Sequence, residues 1–272
     1  MPDMPLSQGW ILTDSAGADT ATSSASTITS GSGSMGSWTE IIASTSANSN
    51  HIMLFFTHDV STPEEFLIDI GVGPSSEQVI IESMTWSGRQ DATTPVIMYS
   101  LPISIGAGTR VVMRAQATAA TTLKYIVNLY ANSATGAIGR QSAKGYGIVT
   151  ASSRGTAVDP GATPNTKPTT YTELVASTGE DIYGFVLMIG NNDNAVIGAA
   201  SSMLFDIAVG AASSESNIIA DHWCVGGTSE LNTGMMFYDI FIPAGTRISA
   251  RMQSTEADAT DRIRTVALLG IN

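Results

Sequence analysis

Short strings of this sequence occur twice, and their spacing constrains the fold more than any other feature. Phe66-Leu67-Ile68-Asp69-Ile70-Gly71-Val72-Gly73 returns as Met203-Leu204-Phe205-Asp206-Ile207-Ala208-Val209-Gly210. Ile80-Ile81 with Trp86 returns as Ile218-Ile219 with Trp223, and Gly108-Thr109-Arg110 with Arg114-x-Gln116 returns as Gly245-Thr246-Arg247 with Arg251-x-Gln253. Phe66 to Met203, Trp86 to Trp223 and Arg110 to Arg247 are each 137 residues apart. One separation kept across scattered matches means that a domain has been duplicated in tandem.

Each copy is a series of short apolar runs bounded by Gly, Pro, Asn and Ser. They lie near 51–57, 65–72, 78–84, 95–103, 109–117 and 123–131, with counterparts near 182–189, 202–209, 216–224, 235–242, 246–254 and 261–269. Strands at this spacing, with no long stretch of helical period, predict an all-β chain of two tandem antiparallel β-sandwich, jelly-roll-like domains. Trp38-Thr39-Glu40-Ile41-Ile42-Ala43 and Tyr171-Thr172-Glu173-Leu174-Val175-Ala176 open the copies, which gives domains at 37–131 and 169–272. Residues 132–168 read as an extended linker lying along a surface, with Tyr146-Gly147-Ile148-Val149 able to add an edge strand.

Residues 1–36 read as a low-complexity arm, since Asp14 to Gly36 is almost wholly Ser, Thr, Ala and Gly. Such a segment buries too little apolar surface to fold alone. Its order must come from contacts, and Trp10, Ile11 and Leu12 are the expected anchor, docked in an apolar groove of another subunit.

Period-two alternation puts Arg110, Arg114 and Gln116 on one strand face, as it does Arg247, Arg251 and Gln253. Asp69 and Asp206 are the acids of the matching strands. Two readings compete. One is a structural Arg–Asp pair in each copy, Asp69 with Arg110 or Arg114 and Asp206 with Arg247 or Arg251. The other is a sugar or anion site. Retention in both copies favours structure. Trp86 and Trp223 read as packing residues that superpose between the copies, with stacking on a sugar ring as the alternative.

Little else points to chemistry. His51, His58 and His222 lack partners at metal-ligand spacing, and Asn191-Asn192-Asp193-Asn194 reads as a turn and not a calcium loop. No nucleophile elbow or phosphate loop occurs. The expectation is therefore no enzyme, no catalytic residue, no metal and no cofactor. With 12 Lys plus Arg against a net charge of −12, no basic cluster is available for nucleic acid or an anionic membrane. Cys224 alone forms no internal disulfide and reads as a buried small hydrophobe. No apolar run is long enough for a membrane-spanning helix, and Met1 to Pro5 lacks the features of a secretory signal. Charged residues make up only 13%, so the surface is mostly Ser, Thr, Asn and Gln, which suits packing in a large assembly.

Phe66–Gly73, Ile80-Ile81 and Ile242–Ser254, with the weaker Ile105–Ala117, resemble strings of virion proteins of tailed bacteriophages. The resemblance covers both copies and neither the arm nor the linker. It implies a jelly-roll-like structural subunit of a capsid or tail and brings no catalytic residues. The expected role is a capsid decoration (cement) protein that bridges capsomers, made in the host cytoplasm and resident in the virion. Its partners would be itself, as a homo-oligomer for which trimers suit capsid symmetry, and a major capsid or other virion protein. The alternative is a tail, baseplate or fibre module that binds host-surface glycan.

Overall fold

The computed structural model describes residues 10–17, 26–58, 64–88, 97–132, 140–191, 201–226, 231–232, 236–256 and 264–272. In chain order the strands are β1 (Trp10–Ala16), β2 (Ser26–Thr29), β3 (Gly31–Ser32), β4 (Thr39–Ile42), β5 (His51–His58), β6 (Glu64–Val72), β7 (Gln78–Gly88), β8 (Ile97–Leu101), β9 (Val111–Ala117) and β10 (Thr122–Asn132). The connecting segment adds β11 (Ala143–Tyr146), β12 (Ile148–Val149) and β13 (Arg154–Val158). The second copy supplies β14 (Thr172–Val175), β15 (Gly184–Asn191), β16 (Ser201–Val209), β17 (Ser216–Gly226), β18 (Leu231–Asn232), β19 (Phe237–Tyr238), β20 (Ile248–Ser254) and β21 (Arg264–Ile271). The fold is all-β. A single 3-10 turn, Thr150–Ser152, is the one helical element among the described residues.

Each copy is a sandwich of two sheets. In the first, β8-β5-β10-β1, with β2 also on β10, lies over β7-β6-β9, with β3 and β4 on β9. Phe66, Ile68 and Ile70 of β6 meet Ile52, Leu54 and Phe56 of β5 in the core between them. Alternation explains the choice, because these residues occupy one face of each strand while Asp69 takes the other. The second copy repeats the plan, with β14-β20-β16-β17-β18 over β19-β15-β21-β13. Its core holds Met203, Phe205 and Ile207 against Phe185, Leu187 and Ile189.

The segment read as a surface linker is instead the join between the copies. β11 runs antiparallel to β21 and parallel to β7, and so merges one sheet of each copy into a single sheet of eleven strands. β15 and β21 are then buried on both faces. Phe185, Leu187, Val266 and Leu268 fill the second core, while Val186, Met188, Ala267, Leu269 and Ile271 belong to the first. The misreading has a physical cause. β11 is Ala-Lys-Gly-Tyr, which has little strand character of its own, and its pairing partners are remote in sequence.

The arm also departs from expectation. Its described parts stay on their own body, where β1 and β2 pair with β10 and β3 pairs with β9. Ser- and Thr-rich chain has no core to form, but it satisfies its backbone groups on an open sheet edge. Ile11 and Leu12 dock in no groove of their own chain, where they are 58% and 52% exposed. The side chain of Trp10 lies outside the described residues.

Arm and linker prove to be the same part of the repeat. β2 places Ser26 on Tyr125 and Ile28 on Leu123, and β13 places Thr156 on Val266 and Val158 on Arg264. Gly17 and Gly147, which end β1 and β11, both have positive φ, 86° and 78°. The sequence match begins near residues 37 and 169, but the structural repeat begins earlier in each half.

Gly145 sets the depth of the join. A Cβ there would stand 2.3 Å from the Ser83 carbonyl oxygen. Gly145→Val should therefore destabilise the whole chain by about 2–3 kcal/mol in denaturant titration, since the backbone must move. Gly179→Ala, where a Cβ meets open space, should leave the midpoint unchanged.

Candidate functional site

The repeated Asp and Arg residues form one clamp per copy. Asp69 lies opposite Arg114 in the β6–β9 ladder, and Asp206 opposite Arg251 between β16 and β20. Arg114 Nη2 reaches Asp69 Oδ2 at 2.7 Å, and Arg251 Nε reaches Asp206 Oδ2 at 2.8 Å. The other Asp oxygen accepts a backbone N–H across the hairpin, from Ser83 at 2.8 Å and from Asp221 at 3.0 Å. Ser83 and Asp221 have φ of 55° and 57° at irregularities in the β6–β7 and β16–β17 ladders. Each carboxylate thus holds a left-handed residue in place, which otherwise costs roughly 1–3 kcal/mol. The guanidinium faces are covered too, Arg114 by Trp38 and Arg251 by Tyr171, each with its central carbon 4.4 Å from the ring centroid.

Arg110 and Arg247 do not reach these aspartates. Arg110 donates to Glu40, Glu77 and the Gly73 carbonyl, and Arg247 to Glu173, Glu215 and the Gly210 carbonyl. Glu40 and Glu173 stand at matching places in the two opening strings, which was the available signal for them. Lys167, from the connecting segment, contacts both Asp206 and Asp221, and no local pattern marks it. The clamp's charges are engaged with one another, which makes it a register lock and leaves little with which to hold a sugar or anion.

Trp86 and Trp223 do not superpose. The turn Gly73-Pro74-Ser75-Ser76-Glu77 has one more residue in the second copy, Gly210-Ala211-Ala212-Ser213-Ser214-Glu215. Val72 pairs with Gln78 but Val209 with Ser216, so β17 is displaced by one residue relative to β7. A shift of one residue exchanges the faces of a strand. Cys224 takes the place of Trp86, and Trp223 that of Thr85. Trp86 is 2% exposed against Phe66, whereas Trp223 is 65% exposed on the outer face beside Leu204.

Among the described residues, a second exposed group occurs in the second copy and not in the first. Tyr183 and Phe241 have ring centroids 5.5 Å apart, and Arg140 lies 3.9 Å over Tyr183. Phe237 is seated on Gly184, where a Cβ would meet its Cζ at 2.4 Å. By strand register the first copy has Asn50, Ser100 and Ser104 at the positions of Tyr183, Phe237 and Phe241. Arg140 is bridged to Ile103 of the first copy, so this aromatic patch sits at the seam between the copies.

The remaining candidates are structural. His51 Nε2 lies 2.6 Å from Ser100 Oγ, and His222 Nδ1 lies 2.6 Å from the Tyr238 hydroxyl. Burial lowers both histidine pKa values. The His58 side chain and residues 192–194 lie outside the described residues. Among the described residues no group of acids, His and Cys has the geometry of a metal site. Cys224 is buried, and burial pushes its thiol up to about 12.

No family model matches this chain, and no curated protein matches it. Solved structures that overlap it loosely include the STIV MCP (TM-score 0.35, 6% identity, 90% of this chain and 93% of that one), the N-terminal CBM22-1-CBM22-2 tandem domain from Paenibacillus barcinonensis Xyn10C (0.27, 12%, 97% and 94%) and PNGF-II (0.31, 9%, 86% and 59%). These overlaps are too loose to extend the fold assignment beyond what the sheets themselves show.

Two outcomes follow. Trp86→Ala should cost about 3–5 kcal/mol in denaturant melts, and Trp223→Ala less than about 0.5 kcal/mol. For Asp206, burial raises the carboxyl pKa, but the Lys167 ammonium, the Asp221 amide and the Arg251 guanidinium outweigh it and hold the carboxyl low. A lowered carboxylate stabilises the fold above its unfolded value, and that stability is lost as pH falls through the folded value. Melting temperature should drop below about pH 4, and Asp206→Asn should lower it at neutral pH and flatten that acid limb.

Proposed function

We propose that this chain is a non-enzymatic structural subunit of a tailed-phage virion, of the decoration type that lies on a shell and bridges neighbouring capsomers. The observation that carries this reading is the fusion of the two sandwiches through β11 into one sheet. Bridging two neighbours needs a stiff body, and domains joined by a flexible linker would yield instead of holding. The polar but weakly charged surface agrees with close packing against other subunits. The patch of Tyr183, Phe237 and Phe241 gives such a body one adhesive spot, because exposed aromatics in a polar rim are the usual anchors of an interface.

One observation favours a second reading, a tail-associated module that binds host-surface glycan. Trp223 and the Tyr183–Phe241 pair beside Arg140 are exposed rings of the kind on which sugars stack. The first reading predicts that Tyr183→Ser with Phe241→Ser lowers occupancy on purified particles roughly 30-fold, the loss of about one aromatic hot spot, with unchanged melting. The second predicts instead that host polysaccharide quenches Trp fluorescence in the wild type and not in Trp223→Ala. If the double variant binds particles as the wild type does and no polysaccharide is bound, both readings fall.

A further inference from the structure

The join between the two copies uses two surfaces, and each has an unused counterpart on this same chain. At the join, the outer edge of β11 pairs with β7, Ala143 on Ile81 and Lys144 on Glu82. By register on β10 and β21, β1 corresponds to β11, with Leu12 at the place of Ala143 and Asp14 at that of Lys144. By register on β6 and β16, β17 corresponds to β7, with Ile219 at the place of Ile81 and Ala220 at that of Glu82. Among the described residues no strand pairs with the outer edge of β1, where Ser46 donates only to the Thr13 carbonyl and the Asp14 carboxylate, or with that stretch of β17.

Side chains repeat the same contrast. Thr85 of β7 donates its N–H and hydroxyl to Met188 Sδ of the second copy, at 3.4 and 3.3 Å. The counterpart of Thr85 is the exposed Trp223, and the counterpart of Met188 is Phe55, which is half-buried on the outer face of β5. Val186 and Ala267, buried at the join, have half-buried counterparts in Met53 and Ile126.

We infer that these two surfaces meet between chains: β1 of one molecule pairs in parallel with β17 of a second copy, and Phe55 of the first covers Trp223 of the second. The ends of a repeat array that stops at one molecule are closed by polar faces. Here the ends carry Ile11, Leu12 and Trp223, all more than half exposed. Repeating the relation between the copies adds chains head to tail, and a contact of this heterologous kind gives rings or filaments, not a closed dimer. The contact is weaker than the join within the chain. Asn128 and Tyr130 stand where the join has Leu269 and Ile271, and Ser15 stands where Gly145 allows close approach.

This inference deepens the structural-subunit reading by naming the partner as a second copy, and it is tested apart from particle binding. Sedimentation of the purified full chain should show concentration-dependent oligomers larger than a dimer. Trp223→Asp, and separately Ile11→Glu with Leu12→Glu, should each weaken self-association at least tenfold while melting stays unchanged. Mixing the two variants should restore dimers and nothing larger, because one intact surface of each kind remains. Ser15→Gly should tighten association. A wild type that stays monomeric at its highest soluble concentration overturns the inference, as does a mixture that forms no dimer. Particle binding by such a monomer would leave the proposed function standing, and oligomers that bind no particle would fail only that function.

Discussion

The structure depends on a single shared strand. β11 satisfies the backbone of β21 on one side and of β7 on the other, so neither sandwich has an open edge at the join. The consequence is burial of β15 and β21 on both faces, with side chains alternating between two cores. Each apolar square ångström so buried contributes roughly 25 cal/mol, and here one strand pair supplies it to both copies. The pairing needs close backbone approach, which is why Gly145 stands opposite the Ser83 carbonyl.

The clamp of Asp69 and Arg114, repeated as Asp206 and Arg251, works next to that join. Ser83 is both the residue that Asp69 holds in a left-handed conformation and the residue whose carbonyl faces Gly145. The ion pair thus shapes the strand that receives β11. A buried pair of this kind adds little net stability but is costly to break from one side, about 3–5 kcal/mol. Its retention in both copies fits a role in fixing register better than one in binding, since its polar atoms are directed at each other.

The two sandwiches and the Asp–Arg pairs were legible because they rest on local alternation. Phe66, Ile68 and Ile70 against Asp69 declare their faces within one strand, and short turns join β6 to β7 and β16 to β17. The join was not legible for the opposite reason. β11 pairs with strands some 60 and 120 residues away, and its four residues carry no apolar period. Trp223 was misplaced because the separation of 137 residues compares sequences, whereas one added turn residue shifts β17 by one and reverses its faces. The aromatic patch gathers Arg140, Tyr183, Phe237 and Phe241 from distant segments, and only the folded chain brings them together.

Hydrogen exchange resolved by residue tests the shared strand most directly. If β11 and β21 belong to both copies, the amides of Gly145, Leu268 and Leu269 exchange only on global unfolding, at the same rate as those of Ile68 and Val127 in the first core. Slow exchange in the first core alongside fast exchange in β21, or two separate unfolding transitions, would show that the sandwiches are independent and would contradict the account.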